Sequence, residues 1–140
     1  VTAYSSEQLL EDALLHSIES ILGALGIVYK VPEDQLDAVT AVSGSGPAYV
    51  FEFIEALTDA GVQAGLEETL ALSLAKETVL GSALLLDQSD TSPEALRKAV
   101  TSPGGTTEAA LNVLQNGKFR NLICEAVLSA KHRSIELADS

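Results

Sequence analysis

The sequence has very few sulfur-bearing and basic residues, and these shortages exclude several classes of protein. One of its 140 residues is cysteine, and none is methionine or tryptophan. An intrachain disulfide and a multi-cysteine metal site are therefore both excluded. Only 8 residues are Lys or Arg, against 20 Asp or Glu, which gives a net charge of −12. This charge balance argues against nucleic acid and against an anionic membrane surface as partners, because both attract basic patches.

Long unbroken apolar runs are also lacking. No run approaches the ~20 residues of a membrane span, and the first residues do not show the basic-then-apolar pattern of a signal peptide. We therefore expect a cytoplasmic protein in a reducing compartment. Apolar residues nevertheless make up 46% of the sequence and charged residues 20%. This composition, at a length typical of one domain, predicts a single folded domain over residues 1–140.

Apolar residues recur every three or four positions, which predicts a chain built from helices. Capping residues, prolines and glycines mark the expected ends of these helices. The predicted helices cover approximately residues 5–25, 31–36, 47–64, 67–86, 93–100, 107–116 and 118–138. No segment alternates as a strand would, so the predicted fold class is an all-α helical bundle with no parallel sheet.

Two of the predicted helices, over residues 47–64 and 67–86, are apolar on nearly every side. Such helices must be covered all round. A bundle of about 140 residues offers few such positions, so the pattern favours an obligate homodimer whose two copies share one core. A monomer with an unusually apolar centre is the alternative.

The segment Ser43–Pro47 contains a G-x-G spacing ahead of a predicted helix, as dinucleotide-binding loops do. Tyr49, however, occupies the position of the third glycine, and no βαβ unit surrounds the segment. Dinucleotide binding by this segment alone is therefore disfavoured. A tight break, with Pro47 as the first helical residue, accounts for the same residues.

The segment Ser102–Thr107 holds two adjacent glycines, three hydroxyl side chains and the start of a predicted helix. Glycines allow close backbone approach, and the N–H groups at a helix N-terminus attract anions. The segment could therefore hold a small carboxylate although the chain is acidic. The alternative is a purely structural cap in which Glu108 satisfies these donors itself. The residues alone leave both readings open.

Two blocks of this sequence resemble the signature blocks of the pyrroline-5-carboxylate reductase family. The first is Asp37–Tyr49 (DAVTAVSGSGPAY) and the second is Val100–Thr107 (VTSPGGTT). Gly61–Leu66 lies between them, and two shorter similarities near the end, Glu125–Val127 and Arg133–Leu137, follow in the expected order. The resemblance extends from about residue 5 to residue 137.

The resemblance implies a fold and an activity for the parent protein. Members of the family reduce the C=N bond of 1-pyrroline-5-carboxylate to L-proline, the last step of proline biosynthesis, with hydride from NADPH or NADH. The chain is similar to their C-terminal helical domain, which dimerises by interleaving helices and whose dimers often form decamers. The N-terminal Rossmann domain of the family has no counterpart in this sequence. We therefore expect the isolated chain to bind no cofactor productively and to be inactive.

The resemblance also implies roles for individual residues. Ser102, together with the backbone of Gly104, Gly105 and Thr106, would hold the substrate carboxylate. Thr107 would be the catalytic residue, because its hydroxyl would face the ring nitrogen that is reduced. The nicotinamide end of the cofactor would lie beside a second set: Ser45, Gly46 and Pro47. Two other interpretations stay open: a helical oligomerisation module without ligand binding, and another two-domain dehydrogenase.

The remaining conspicuous residues are predicted to be structural, and no metal site is expected. His16 and His132 lack neighbours at ligand spacing and are expected on helix surfaces. Cys124 is expected as a buried, inert thiol, and Tyr49 as a core residue. A solvated acidic face is expected for three residues of one helix: Glu52, Glu55 and Asp59.

Overall fold

A computed structural model describes residues 1–6 and 11–138, and most of these residues are helical. Within them the helices are α1 (Asp12–Gly23), α2 (Leu36–Val39), α3 (Gly46–Gln63), α4 (Glu68–Asp87), α5 (Pro93–Ala99), α6 (Thr106–Asn116) and α7 (Phe119–Ala138). A 3-10 turn, Glu33–Gln35, precedes α2, and a π-helical turn, Thr40–Gly44, follows it. The all-α fold class is confirmed.

Two short strands, β1 (Thr2–Tyr4) and β2 (Val28–Lys30), pair in parallel with Thr2 opposite Val28. This pair corrects the expectation that the chain forms no parallel sheet. Strands of three residues are too short for an alternating pattern to be visible in the sequence. Parallel pairing requires a crossover of a dozen or more residues, and α1 lies in that connection. The Tyr4 hydroxyl also donates a 2.8 Å hydrogen bond to the Glu19 carboxylate, which raises the pKa of Tyr4.

Most predicted helix ends agree with the structure to within one or two residues. Helix α3 ends ahead of Gly65, whose φ of +100° suits glycine, and the Leu66 N–H donates to the Gly61 carbonyl at 3.0 Å. Helix α5 begins after Ser92, whose hydroxyl accepts a 3.3 Å hydrogen bond from the Ala95 N–H. These helix ends are formed by hydrogen bonds between residues close in the sequence. Their residue types and spacing in the sequence are therefore sufficient to locate them.

Two predictions differ more. The helix predicted over residues 31–36 is a 3-10 turn at Glu33–Gln35, with α2 at Leu36–Val39. The start of α1 is the other exception. The sequence predicts a helix from about Ser5, whereas Ser5 and Ser6 are not helical and α1 begins at Asp12. Glu7 and Gln8, which belong to the predicted start signal, lie outside the described residues. The predicted terminator of this helix, Gly26, has a φ of +133° and lies in the turn before β2.

The chain forms two compact units, and the first contains Val1–Pro47 and the chain from Ile123 onward. In this unit the Ser134 hydroxyl donates a 2.6 Å hydrogen bond to the Asp37 carboxylate, which joins α7 to α2. The contact connects residues 97 positions apart in the sequence. It therefore fixes the end of α7 beside α2.

The second unit contains Ala48–Leu122. Its helices α3 and α4 approach closely at Gly61, where an added Cβ would lie 3.0 Å from the Ala71 Cβ. Three of its described residues are buried: Thr58, Ala71 and Ala75. Small side chains at this crossing are what allow the two backbones to come so near.

The protomer leaves most of its large apolar side chains exposed. Among the described residues its buried apolar core is limited to three alanines: Ala41, Ala71 and Ala75. Leucines along α4 are about half exposed, for example Leu72 at 49% and Leu80 at 50%. Cys124 is exposed as well, so the prediction of a buried thiol is wrong for the protomer. The apolar stripe beside it on α7 is open too, since Leu122 is 62% exposed.

Helix α4 is the one described helix that is long and apolar enough to cross a membrane by length and composition. Two charged residues, Lys76 and Glu77, lie near its middle and interrupt the apolar run. This is why inspection of the sequence finds no unbroken span. Charged side chains at the centre of a bilayer are costly, so the length and composition of α4 do not by themselves indicate a membrane span.

Candidate functional site: the Ser102–Thr107 turn

The connection between α5 and α6 is a tight reverse turn. The Gly105 N–H donates a 3.0 Å hydrogen bond to the Ser102 carbonyl, with Pro103 and Gly104 between them. Gly104 has a φ of +70°. Proline in the second position and a positive φ in the third are typical of a type II turn. The sequence Pro-Gly therefore specifies the local fold of this segment.

The next residue, Gly105, must also be a glycine, because its backbone lies close to Ser102. An added Cβ at Gly105 would lie 3.0 Å from the Ser102 carbonyl oxygen and 3.2 Å from the Ser102 Oγ. Both neighbours leave little room for a side chain. The Ser102 hydroxyl consequently lies beside the backbone at the start of α6.

The N-terminus of α6 offers hydrogen-bond donors that the described chain leaves unused. Gly105 precedes the helix and provides no side-chain cap. Within residues 1–6 and 11–138 no acceptor contacts the N–H groups of Thr106 and Thr107, whereas the Ala109 N–H donates to the Gly105 carbonyl at 3.1 Å. Free donors and the positive end of the helix dipole make this turn suitable for an anion.

Glu108 accepts a hydrogen bond from one N–H group of the turn, as the structural-cap interpretation of the sequence predicts. Its carboxylate accepts a 2.8 Å hydrogen bond from the Gly104 N–H. The bond leaves the N–H groups of Thr106 and Thr107 free, so a structural cap and a set of available donors coexist. The Thr107 residue is half-buried, whereas Ser102 and Thr106 are exposed.

The G-x-G segment is helical apart from Ser45, which corrects the expectation that Ser43–Gly46 as a whole forms a break. Ser45 alone separates the π-helical turn Thr40–Gly44 from α3, and its N–H donates a 2.8 Å hydrogen bond to the Thr40 carbonyl. Helix α3 begins at Gly46, with Pro47 as its second residue. The glycines are compatible with helical backbone, and proline is tolerated in a first turn because its missing N–H is not needed there. Wide turns of this kind occur frequently at functional sites.

An open cleft of about 430 Å³ lies beside this π-helical turn. Its lining contains hydroxyl and apolar groups and no ionisable side chain: Val1, Ala3, Leu36, Val39, Thr40, Ser43, Gly44 and Pro47. Of the three residues predicted to adjoin the cofactor, Pro47 lines this cleft and Ser45 and Gly46 do not. The uncharged side chains of the lining suit an uncharged ring.

The predicted substrate residues Ser102, Gly104, Gly105, Thr106 and Thr107 therefore lie together in one turn. They belong to the unit Ala48–Leu122, whereas Ser43–Pro47 belongs to the other unit. Each segment is internally consistent with its predicted role.

Two features of the structure have no counterpart in the sequence reading. The Asp37–Ser134 hydrogen bond has no local spacing signal, since its partners are far apart in the chain. Tyr49 is half-buried, as its predicted core position requires in part, but the sequence gives no sign that its buried hydroxyl has no hydrogen-bond partner within the described residues. The histidines and acidic residues agree with expectation: His16 and His132 are exposed, as are Glu52, Glu55 and Asp59. The described part of the chain contains no cluster suited to a metal ion.

Comparison with protein families decides the affiliation of the chain. Residues 33–137, more than half of the sequence, match the family described as pyrroline-5-carboxylate reductase dimerisation. The chain belongs to this family. The resemblance carried by the two signature blocks is thereby confirmed.

Curated relatives of this dimerisation domain are named pyrroline-5-carboxylate reductase. The protein of a Synechocystis strain is 48% identical over 137 residues, which cover 98% of this chain and 51% of that protein. The protein of Arabidopsis thaliana is 50% identical over 123 residues, which cover 88% of this chain and 45% of that protein. The chain thus spans about half the length of the curated relatives it matches.

Solved structures agree with the dimerisation-domain fold. A pyrroline-5-carboxylate reductase from Coxiella burnetii superimposes with a TM-score of 0.91 and 41% identity, covering 96% of this chain and 50% of that one. The Plasmodium falciparum pyrroline carboxylate reductase, solved with NADP bound, has a TM-score of 0.86 and 34% identity, covering 95% and 51% respectively. A helical dimerisation domain accounts for the exposed apolar helices of the protomer, since a second copy can cover them.

Proposed function

We propose that the full-length protein is a pyrroline-5-carboxylate reductase, of which this chain is the C-terminal dimerisation and substrate-binding domain. The names of relatives that are about half identical to the chain support this proposal. They favour it over the alternative of a helical module without ligand binding. The turn Ser102–Thr107 is the observation in the chain itself that carries the proposal, because it combines three hydroxyl groups with N–H donors at a helix N-terminus that are free within the described residues.

The proposed interface is the exposed apolar surface of α3 and α4. Phe51 on α3 is 62% exposed, and Leu80 and Leu84 on α4 are 50% and 48% exposed. Covering a leucine fully contributes about 1.5–3 kcal/mol, so several half-covered side chains favour association strongly. We propose a homodimer with interleaved helices that can assemble further into a decamer, in the reducing cytoplasm where the exposed Cys124 stays a thiol.

The proposed substrate role of the turn follows from its donors. The Ser102 hydroxyl and the Thr106 N–H are the predicted donors that would hold the carboxylate of 1-pyrroline-5-carboxylate. The N–H groups of Gly104 and Gly105, predicted for the same role, already donate to the Glu108 carboxylate and the Ser102 carbonyl, so these two glycines would shape the turn rather than donate. Each hydrogen bond to a charged group contributes about 1.5–3 kcal/mol, so two or three can supply the ~4 kcal/mol of a millimolar site. The Thr107 hydroxyl would face the ring nitrogen, which gains a proton when the neighbouring carbon gains a hydride.

NADPH or NADH, when bound, supplies that hydride. On this chain we propose Ser45, Gly46 and Pro47 as neighbours of the nicotinamide end. The chemistry of the cleft at Pro47 supports this assignment. No ionisable side chain lines the cleft, and a neutral ring requires no charged partner. The phosphates of the cofactor would require donors from outside this chain.

The test is a kinetic assay of the full-length protein encoded by the gene of this chain. Oxidation of NADPH and of NADH is followed spectroscopically with 1-pyrroline-5-carboxylate as substrate. Thr107→Ala is expected to lower kcat about 100-fold or more, as loss of a group that positions a proton does. Ser102→Ala is expected to raise KM about tenfold, the cost of one charged hydrogen bond.

Thr91→Ala is the matched control, because Thr91 is an exposed threonine whose N–H, rather than its hydroxyl, bonds to the Ser89 side chain. Its kinetic constants are expected to equal those of the wild type. Failure of the wild type to oxidise either nucleotide with this substrate would refute the proposed reaction. Unchanged kinetics of Thr107→Ala would refute the assignment of the catalytic residue.

A further inference from the structure

The Glu108 side chain reaches backward from the first turn of α6 to the turn that precedes the helix. Its carboxylate accepts a 2.8 Å hydrogen bond from the Gly104 N–H. The turn's own hydrogen bond, from Gly105 N–H to the Ser102 carbonyl, does not use this N–H. Glu108 is thus the contact that ties the middle of the turn to α6.

This contact matters because the rest of the turn is weakly held. Ser102, Pro103 and Gly104 are exposed, and glycine at a positive φ gives the backbone wide freedom. Without an acceptor for its N–H, Gly104 would be free to move relative to the helix that supplies the remaining donors. Ligand affinity falls when donors must be ordered on binding.

We infer that Glu108 is a positioning residue for the carboxylate-binding turn. Its oxygen fixes the Gly104 peptide, so that the Ser102 hydroxyl and the N–H groups at the start of α6 stand ready for the substrate. This inference rests on the proposed function. The negative charge of Glu108 opposes an anionic substrate, so its useful property is the accepting oxygen and its charge is a cost.

Substitutions at this position separate the two properties. Glu108→Gln keeps an accepting oxygen and removes the charge, whereas Glu108→Ala removes both. In the full-length protein we expect Glu108→Ala to raise KM for 1-pyrroline-5-carboxylate roughly five- to tenfold, as loss of one charge-assisted bond does. We expect Glu108→Gln to show a KM equal to or below that of the wild type. The KM for the nucleotide is expected to stay unchanged in both variants.

Glu94→Ala is the matched control, because Glu94 lies in the first turn of α5 and pairs with Lys98 at 2.6 Å rather than with the turn. It also removes a carboxylate from a helix N-terminus, so it reports the stability effect alone. We expect it to leave KM unchanged. An unchanged KM for the nucleotide, together with a substrate KM that Glu108→Gln restores, would distinguish a positioning role from a general loss of folding.

A KM for Glu108→Ala that equals the wild-type value would overturn the inference. A KM lowered to the same extent in the alanine and glutamine variants would also overturn it, since Glu108 would then act only by repulsion. Both outcomes require an active wild type. An inactive wild type would instead refute the proposed function, so the two failures are distinguishable.

Discussion

The crossing of α3 and α4 leads to a quantitative prediction at Gly61. A methyl group added there would lie 3.0 Å from the Ala71 Cβ and 3.7 Å from its Cα. Carbon atoms prefer separations of about 3.5–4.0 Å, so the helices must part by about 0.5–1 Å. Neither neighbouring atom belongs to the flexible end of a side chain, so the strain must move backbone. Overpacking of this kind costs about 1–3 kcal/mol.

Helix propensity opposes this cost. Replacing a helical glycine by alanine stabilises a helix interior by about 1 kcal/mol. The expected net effect of Gly61→Ala is therefore a destabilisation of about 1 kcal/mol. Gly23→Ala, at the end of α1, is the control because an added Cβ there has nothing within 4 Å. It is expected to stabilise the chain by about 0.5 kcal/mol.

Urea unfolding monitored by circular dichroism at one fixed protein concentration measures both effects. The concentration must be constant because the stability of a self-associating protein depends on it. The account predicts a lower unfolding midpoint for Gly61→Ala than for the wild type, and a higher one for Gly23→Ala. If Gly61→Ala is as stable as Gly23→Ala, the close approach of α3 and α4 is wrong.

Three further predictions concern individual hydrogen bonds. A double-mutant cycle with Asp37→Ala and Ser134→Ala in urea unfolding is expected to give a coupling energy of about 1.5 kcal/mol, and additive effects would contradict the bond. Glu67 caps α4 by accepting hydrogen bonds from the Thr69 hydroxyl and the Leu70 N–H, which lower its pKa. Its contribution is present above the pKa of the unfolded chain, so in pH-dependent melting Glu67→Ala should be less stable than wild type at neutral pH. The difference should vanish as pH falls through the lowered pKa, and a difference that persists in acid would refute the cap. Tyr49→Phe should leave the unfolding midpoint unchanged or raise it, because the buried hydroxyl lacks a partner in the described residues; a loss above about 1 kcal/mol would contradict this.

The helices could be predicted from the sequence because their signals are local. Ser92 and Pro93 begin α5 and Gly65 ends α3, and the hydrogen bonds at these ends join residues no more than five positions apart. The Pro-Gly turn at Ser102–Gly105 is specified in the same way. Its identification as a candidate site depended on the resemblance, since the residues alone also predict a structural cap by Glu108.

The parts that could not be predicted depend on long-range contacts or on a second molecule. The pairing of Thr2 with Val28 joins strands too short to show a period. The helical backbone around Ser43–Gly46 could not be predicted, because glycines in a sequence more often mark the ends of helices. The exposure of Cys124 differs from expectation because no other part of the protomer covers the apolar stripe beside it on α7.

The molar mass of the 140-residue chain in solution shows whether it self-associates. We expect a second copy to cover the exposed apolar faces of α3 and α4. Sedimentation equilibrium over a range of protein concentrations, with circular dichroism to verify helical content, determines the mass of the folded species. The account predicts a dimer of about 29 kDa, twice the 14.6 kDa chain, or a larger assembly of dimers. A stably helical monomer at micromolar concentration would contradict it.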